Sequence, residues 1–241
     1  MFRTLADPIL SVVYPCLCLS CGKLVEHSRN GVACAECWAS TRLFTGGETL
    51  CRKCGAYLGA NGGNSNSKCK QCDDAHFDLA LAAGIYERGL AATVIGLKKH
   101  PILASRAKDL LVGLADRLAV SADSLVIPVP LSRRRLFERG HNQAAIIACI
   151  IANAGNIPVN EAVLIRTNHT LMHRVGMDKK ARESTVKNAF KIKIPRLVEG
   201  REIILTDDVL TSGSTASRCA QALKKQGAVK VTVVTLARAV M

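Results

Sequence analysis

The alternation of apolar and polar positions divides the chain into two parts with different patterns. From about residue 77 onward, short apolar runs typical of buried strands alternate with longer amphipathic segments typical of helices. The predicted strands are LALAAGIY, SLVIPVP, REIILTD and VKVTVVTLAR, and the predicted helices are GLAATVIGLKK, ASRAKDLLVGLADRLAV, NQAAIIACIIANA and STASRCAQALKKQG. That order predicts an α/β fold with a mostly parallel sheet and helices on both faces.

Residues 1–76 show no such alternation, and cysteine is their most regular feature. Eight of the 11 cysteines form four Cys-x-x-Cys pairs, namely Cys18 and Cys21, Cys34 and Cys37, Cys51 and Cys54, and Cys69 and Cys72. Two thiolates at this spacing can bind one tetrahedral zinc ion, and a second pair completes the four ligands. We therefore predict two structural zinc sites. Sequential pairing is the simplest arrangement, and a crossed pairing, disulfides or an iron–sulfur cluster remain as alternatives.

The change of pattern also predicts the domain organisation. We expect a double zinc ribbon in residues 1–76 and a larger α/β domain in residues 77–241. Outside the four pairs, Cys149 and Cys219 fall in helical patterns, where we expect them to be buried as small apolar side chains.

The charge of the chain is strongly positive and unevenly distributed. The formal net charge is +14, and residues 77–241 hold 25 of the 33 Lys and Arg residues but only 13 of the 19 Asp and Glu residues. This excess favours an anionic partner, either a small molecule that carries polyphosphate or the backbone of a nucleic acid. A solvated basic surface with no specific partner is the alternative.

No apolar run reaches the roughly 18–20 residues that span a bilayer. The apolar stretch at the N-terminus is interrupted by Asp7 and Pro8, and it leads into the cysteine pairs where a signal-peptide cleavage site would be expected. We therefore expect a soluble protein without a membrane span, located in the reducing cytoplasm.

The segment IILTDDVLTSGST, residues 203–215, joins an apolar run, two acids and a loop of small hydroxyl residues. We expect Asp207 and Asp208 to emerge at the carboxyl end of a buried strand, with the loop leading into a helix. Free N–H groups and the helix dipole at such a turn favour a phosphate, and Gly213 allows close approach. Two carboxylates beside it would suit a ribose diol or a magnesium ion. The alternative is an ordinary helix cap by Ser214 with two exposed acids.

Two further motifs accompany this segment and carry a family resemblance. IILTDDVLTSGST resembles the phosphoribosyl pyrophosphate (PRPP) signature of type I phosphoribosyltransferases. IPVPLSRRRLFERGHNQA, residues 127–144, resembles a segment typical of the ComF family of competence proteins, and the four cysteine pairs resemble the N-terminal double zinc ribbon of that family. The three motifs occur in the expected order and cover nearly the whole chain. The resemblance therefore implies a type I phosphoribosyltransferase-like domain preceded by a small zinc-ribbon module.

The resemblance also implies roles for individual residues. Asp207 and Asp208 would hold the ribose hydroxyls of PRPP, which binds with magnesium. The 5′-phosphate would be held by the loop residues Thr211, Ser212, Gly213, Ser214 and Thr215. Arg135 and Arg139 match the two arginines of the R…RG.NQ segment, close to where such enzymes hold pyrophosphate. Lys98 in LKKH resembles the lysine of an LKY element, and a lysine that extends from a helix end into solvent is its alternative.

Besides Ser212 in place of threonine, which is a mild change, the sequence departs from the family pattern at three positions. His141 stands where the family usually has phenylalanine, His173 where it has glutamine, and Thr185 where it has asparagine. His173 and Thr185 fall in the segment that would close over substrate, so the acceptor is not predicted. Either histidine is a candidate general base.

Two classes of function follow from these motifs. The first is transfer of a phosphoribosyl group from PRPP to an acceptor with release of pyrophosphate. The second is a non-catalytic competence factor that senses PRPP or a nucleotide, or that binds single-stranded DNA together with DNA-uptake proteins. Aromatic residues suited to base stacking are scarce, because the chain has one Trp, three Tyr and five Phe.

Overall fold

The computed structural model describes residues 15–59, 67–167 and 189–240. A central sheet contains the parallel strands β3 (Leu79–Ile85), β4 (Ser124–Pro128), β7 (Glu202–Leu210) and β8 (Lys230–Arg238), in the spatial order β3-β8-β7-β4. Two small antiparallel sheets pair β1 (Thr49–Leu50) with β2 (Tyr57–Gly59), and β5 (Leu164–Arg166) with β6 (Phe190–Ile192). The predicted parallel sheet is thereby confirmed.

The helices of the described residues are α1 (Ala35–Ala39), α2 (Arg88–Lys99), α3 (Ser105–Ala115), α4 (Arg133–Arg139), α5 (Gln143–Gly155) and α6 (Ser214–Lys225). Short 3₁₀ helices occupy Ser28–Asn30, Lys70–Cys72 and Pro195–Leu197. In the part of the chain that the structure describes, no helix has both the length and the apolarity needed to cross a membrane.

The strands of the central sheet are apolar on both sides because helices cover both faces. Successive side chains of a strand point to opposite faces. Val126 and Ile204 accordingly pack in one hydrophobic cluster with α2, α3 and α5. Their neighbours Ile127 and Leu205 pack in a second cluster with α6. This layering confirms the prediction of helices on both faces and explains the near-continuous apolar runs of the strands.

The two cysteine-rich regions pack against opposite faces of the sheet. Trp38 in the first region is 1% exposed and shares the cluster of α2, where a Cβ atom on Gly89 would lie 2.7 Å from its indole ring. Cys54 in the second region belongs instead to the cluster of α6, together with Phe77. These contacts cross the predicted domain boundary between residues 76 and 77, which stays a prediction.

Between the two regions, the chain passes along the edge of the central sheet. The N–H of Phe44 donates to the carbonyl of Ala83 at 2.8 Å, and the N–H of Ile85 donates to the carbonyl of Arg42 at 2.9 Å. A Cβ atom at Gly84 would overlap the Arg42 carbonyl oxygen, so only glycine permits this approach. The segment thereby covers part of the exposed edge of β3.

Candidate functional site

The predicted acid pair lies close to the carboxyl end of β7, between the neighbouring strands β4 and β8. Asp207 and Asp208 are both partly buried, and the strand continues beyond them to Leu210. The N–H of Asp208 donates to Oδ1 of Asp207 at 2.9 Å, and the N–H of Val209 donates to Oδ1 of Asp208 at 2.8 Å. The two carboxylates are therefore held by the local backbone, and the alternative of two solvent-exposed acids is wrong.

Proximity and burial change the protonation of this pair. Burial raises the pKa of Asp207, the negative charge of Asp208 raises it further, and together they bring it to about 7. The N–H of Asp208 and the charge of Lys98 act in the opposite direction. At neutral pH the pair thus holds a proton part of the time, which a cation at the site would displace.

Lys98 comes to the acid pair from a distant part of the chain. It lies in the last turn of α2, and its Nζ atom is 3.5 Å from Oδ2 of Asp208. The Asp208 side chain is only 16% exposed, so this ion pair is shielded from solvent on one side. Lys98 therefore contacts the acid pair instead of extending from a helix end into solvent.

The loop after β7 has the geometry of an open helix start. Gly213 caps α6 with φ = 75°, a left-handed conformation that favours glycine, and it has no side chain with which to bind the first N–H groups. The Ser214 alternative is thus wrong, because Ser214 is the first residue of the helix and not its cap. The hydroxyl residues of the loop are all exposed, namely Thr211, Ser212, Ser214 and Thr215. The Ser212 hydroxyl donates to the Ser214 hydroxyl at 3.2 Å and accepts from the Ser214 N–H at 3.4 Å. The turn therefore gathers exposed hydroxyls at the start of a helix, where an anion is favoured.

The two predicted arginines lie on α4, which follows β4. Ser132 caps this helix by accepting from the N–H of Arg135, and Gly140 ends it in a left-handed conformation. The Arg135 side chain is exposed. Arg139 donates through Nη1 to Oε1 of Gln143 at 2.8 Å. Gln143 is 2% exposed, and its Nε2 atom has no hydrogen-bond partner among the described residues.

Hydrogen bonds bring the ends of this arginine segment back to β7. The N–H of Val129 donates to the carbonyl of Thr206 at 2.9 Å, and Nδ2 of Asn142 donates to the carbonyl of Val129 at 3.1 Å. The buried hydroxyl of Thr206 donates in turn to the carbonyl of Ala144 at 2.9 Å. The start of α5 is therefore fixed beside the residue that precedes Asp207.

His141 links the same segment to α2. Its Nδ1 atom lies 2.8 Å from the carbonyl oxygen of Arg139, and its Nε2 atom lies 2.7 Å from that of Leu97, the residue before Lys98. The phenylalanine usual in the family could form neither bond. A neutral imidazole has one N–H and donates to one of these two carbonyls, and both nitrogens lie against the backbone, which argues against His141 as a general base. The other two departures, His173 and Thr185, lie outside the described residues.

A cleft of about 700 Å³ opens between α4, the start of α5 and β5. Its floor is largely apolar and includes Ile146 and Leu164. Its basic side chains are Arg133, Arg166 and Lys193. His141 also lines the cleft, and it contacts the carbonyl of Leu97, the residue before Lys98.

The eight paired cysteines form two tetrads in sequential order. In each tetrad the four sulfur atoms lie within 4.8 Å of one another: Cys18, Cys21, Cys34 and Cys37 in the first, and Cys51, Cys54, Cys69 and Cys72 in the second. Four of the Sγ–Sγ distances are 3.4–3.5 Å, near the roughly 3.8 Å expected around zinc with four Zn–S bonds of about 2.3 Å. The tetrads fit zinc, all eight cysteines are free of disulfides, and the crossed pairing is wrong.

In each tetrad, hydrogen bonds from backbone N–H groups lower the pKa of the first cysteine. Burial opposes ionisation of Cys18, but the N–H groups of Cys34, Cys21 and Ser20 outweigh it and lower the pKa to about 6. Cys51 behaves in the same way, because N–H groups outweigh burial and lower its pKa to about 6. Burial raises the pKa of Cys37 and Cys72 in the same tetrads, so the backbone favours the thiolate form, which binds metal, at only one ligand of each tetrad.

Two solved structures are among those similar to part of this chain. One, described as the allosteric regulatory enzyme of purine biosynthesis, is 27% identical with a TM-score of 0.39, over 54% of this chain and 25% of that chain. The purine phosphoribosyltransferase of Pyrococcus horikoshii is 18% identical with a TM-score of 0.35, over 56% of this chain and 76% of that chain. The chain spans about a quarter of the first of these proteins.

Similarity in sequence extends over nearly the whole chain. Residues 9–73 match the double zinc ribbon domain. Competence protein F of Haemophilus influenzae is 29% identical, over 92% of this chain and 96% of that protein. The DNA utilization protein YhgH of Escherichia coli is 28% identical, over 93% and 97%, and the competence protein ComFC of Bacillus subtilis is 33% identical, over 47% and 44%. Over nearly its whole length the chain is therefore similar to proteins named for competence and DNA utilization, and its first part matches a double zinc ribbon domain.

Proposed function

We propose that this protein binds PRPP together with magnesium and transfers its phosphoribosyl group to an acceptor, with release of pyrophosphate. The proposal rests mainly on the ion pair between Lys98 and Asp208, which lies beside the open start of α6. A cation, an acid pair and an anion-binding turn at one end of a parallel sheet suit a ligand that has both a diol and phosphates.

Each group of residues has a distinct part in the proposed reaction. The carboxylates of Asp207 and Asp208 accept hydrogen bonds from the ribose hydroxyls, and the loop of residues 211–215 holds the 5′-phosphate. The bond between the anomeric carbon and a pyrophosphate oxygen breaks, and a bond from that carbon to the acceptor forms as the acceptor loses a proton. Lys98 and Arg139 offer positive charge to the departing pyrophosphate.

Magnesium fits this site because its preferred ligands are oxygen atoms, which the acid pair and the pyrophosphate provide. When bound, it would neutralise charge that develops on the leaving group. The 700 Å³ cleft beside His141 offers room for an acceptor. Its basic side chains favour an acceptor that carries an anionic group.

Calorimetric titration with PRPP, with and without magnesium, tests the proposal. The double variant D207N/D208N removes the two charges and keeps side-chain volume, so the fold and zinc content should persist. Each lost hydrogen bond to a charged group costs about 1.5–3 kcal/mol, or roughly tenfold or more in affinity. D116N/D123N removes the same charge from exposed positions and serves as the control. Equal PRPP affinities in the wild type and the site variant would overturn the proposal.

A second candidate function is binding of single-stranded DNA, and α4 favours it. This helix has no buried residues, and it exposes Phe137 by 92% among its arginines. An exposed ring on a basic surface can stack on a base while the arginines contact phosphates. The relatives named for competence and DNA utilization are consistent with such a partner. Both functions suit the reducing cytoplasm, where thiolate ligands persist.

The DNA-binding alternative is tested by the salt dependence of affinity for an oligonucleotide. We expect affinity to fall steeply with added salt because counterions compete for phosphates. F137A should weaken binding by about 1–3 kcal/mol and leave PRPP binding intact. A salt-insensitive affinity, or no effect of F137A, would count against this function.

A further inference from the structure

Arg238, the last residue of β8, places a buried guanidinium between the second tetrad and the loop after β7. The side chain is 3% exposed. Its Nε atom donates to the carbonyl of Cys54 at 3.2 Å. Its Nη1 atom donates to the carbonyls of Leu210 at 2.8 Å and of Thr211. One side chain therefore contacts both a tetrad residue and the first residue of the loop.

The positive charge of Arg238 has no carboxylate partner in residues 15–59, 67–167 and 189–240. It is the one charged residue among the buried residues of those ranges. Burial of an unpaired charge costs several kcal/mol even after relaxation. Backbone carbonyls solvate the guanidinium but do not neutralise it, so an anion is expected nearby.

The second tetrad can provide that anion. Nη2 of Arg238 lies 3.9 Å from Sγ of Cys54. Four thiolates around a divalent metal ion carry a formal net charge of about −2, because each deprotonated cysteine contributes one negative charge. The tetrad residues fit such an ion, as their sulfur separations show. The metal-loaded tetrad and Arg238 are therefore complementary in charge.

A shared cleft shows how closely the tetrad and the loop approach each other. It has a volume of about 170 Å³, with Cys54 and Cys72 on one side and Ser212 and Gly213 on the other. Arg238 lines it as well. A second link lies beside the cleft, where the N–H of His76 donates to the hydroxyl of Ser217 in α6 at 3.1 Å.

The first tetrad has no equivalent of this arrangement. It packs with α2 on the opposite face of the sheet. Among the described residues, no buried arginine contacts it. The nearby ion pair of Lys23 with Glu36 is exposed on both sides, with 65% and 66% of the side chains accessible. The two tetrads are alike in ligands but differ in what they contact.

We propose that Arg238 is a positioning residue that couples metal binding at the second tetrad to the phosphate-binding loop. Its bonds to Leu210 and Thr211 fix the start of the loop, and the metal-loaded tetrad balances its charge. Loss of metal from the second tetrad should loosen residues 211–215, whereas loss from the first should not. The identity of the loop's ligand rests on the proposed function, but the coupling itself does not.

The test compares C69S with C21S in the full-length protein, since each removes one of the less buried ligands from one tetrad. Zinc content should fall from two ions to one in both variants. Loop exchange is followed by hydrogen exchange at the N–H groups of Ser217 and Ala239, which donate to the carbonyls of Gly213 in the loop and of Leu210 directly before it. It should accelerate in C69S and remain at the wild-type rate in C21S. PRPP affinity should fall about tenfold in C69S alone, because a loosened loop has to be ordered again when it binds the phosphate.

Variants of Arg238 complete the test. R238M removes all of its hydrogen bonds and should accelerate exchange of the loop, while R238K keeps the charge and should have a smaller effect. If R238M does not fold, R238K and the comparison of C69S with C21S still test the coupling. Unchanged loop exchange in C69S, or equal acceleration in C69S and C21S, would overturn the coupling. Failure of the wild type to bind PRPP would contradict the proposed function instead, because loop exchange is measured without ligand.

Discussion

The ammonium group of Lys98 lies 3.5 Å from a carboxylate oxygen of Asp208, although one residue lies in the last turn of α2 and the other on β7. The fold thereby places a cation beside a pair of acids whose own charges repel each other. In a ligand that carries phosphates and a diol, the phosphates could contact the lysine and the diol could contact the acid pair. This contact leads to the first prediction.

Lys98→Met should weaken PRPP binding about tenfold, because a charge-assisted contact to the pyrophosphate is lost. Lys99→Met is the matched control, since Lys99 is the next residue and is exposed. Calorimetry with both variants measures the difference. Equal losses in the two variants would show that only general surface charge matters.

Asp207→Asn should stabilise the ligand-free protein at pH 8 and lose this effect toward pH 4. The fold raises the pKa of Asp207 from 3.8 to about 7, so the native state prefers the protonated carboxyl. Stability contributed by that proton is complete below the unfolded pKa and is lost as the pH rises through 7. Asparagine mimics the protonated form at every pH, and each unit of pKa difference is worth about 1.4 kcal/mol.

Urea denaturation of wild type and D207N at both pH values, without magnesium, measures this effect. D116N at an exposed position should show no comparable pH dependence. A stability difference between wild type and D207N that stays constant with pH would contradict the prediction.

Zinc stoichiometry should follow the sequential tetrads. The purified, reduced wild type should contain two zinc ions. C18S/C37S removes two ligands of the same tetrad and should leave one ion bound, whereas C37S/C51S removes one ligand from each tetrad and should leave neither site filled. Elemental analysis after mild dialysis distinguishes these outcomes. Iron in place of zinc, or the reverse pattern of losses, would contradict the assignment.

The strands of the central sheet could be predicted from the sequence because their apolar runs depend on burial on both faces. Helix α4 could not, since RRRLFER buries no side chain and so has no apolar periodicity. Its signals were the cap residue Ser132 and the closing glycine Gly140. Cys219 is fully buried as predicted, but Cys149 is exposed, because it lies on the side of α5 that faces the cleft.

The candidate site could be predicted only in part from the sequence, for a related reason. Asp207 and the loop stand in one contiguous motif, so a local pattern identified them. Arg238 appeared as an ordinary end of an apolar strand, because its partners are backbone carbonyls contributed by distant segments. Contacts between a side chain and the backbone of a distant segment cannot be predicted from the types of neighbouring residues.

Gly89→Ala should destabilise the protein, whereas Gly113→Ala should stabilise it slightly. Both glycines lie in helices, but a Cβ atom at Gly89 would lie 2.7 Å from the indole of Trp38, while one at Gly113 meets nothing within 4 Å. Overpacking of a buried ring costs about 1–3 kcal/mol, and alanine in an open helical position gains roughly 0.5–1 kcal/mol. Trp38 is the only tryptophan, so its fluorescence reports this contact between the first cysteine region and α2 directly.

Denaturation followed by tryptophan fluorescence and by far-ultraviolet circular dichroism measures both variants. In the wild type the two signals should change together, because Trp38 shares one hydrophobic cluster with the helices on its face of the sheet. In G89A both transitions should shift to lower denaturant, with fluorescence shifting at least as far. A G89A protein as stable as G113A would mean that the indole moves aside without cost. A fluorescence transition well before the dichroism transition in the wild type would show that residues 1–76 unfold as a separate unit.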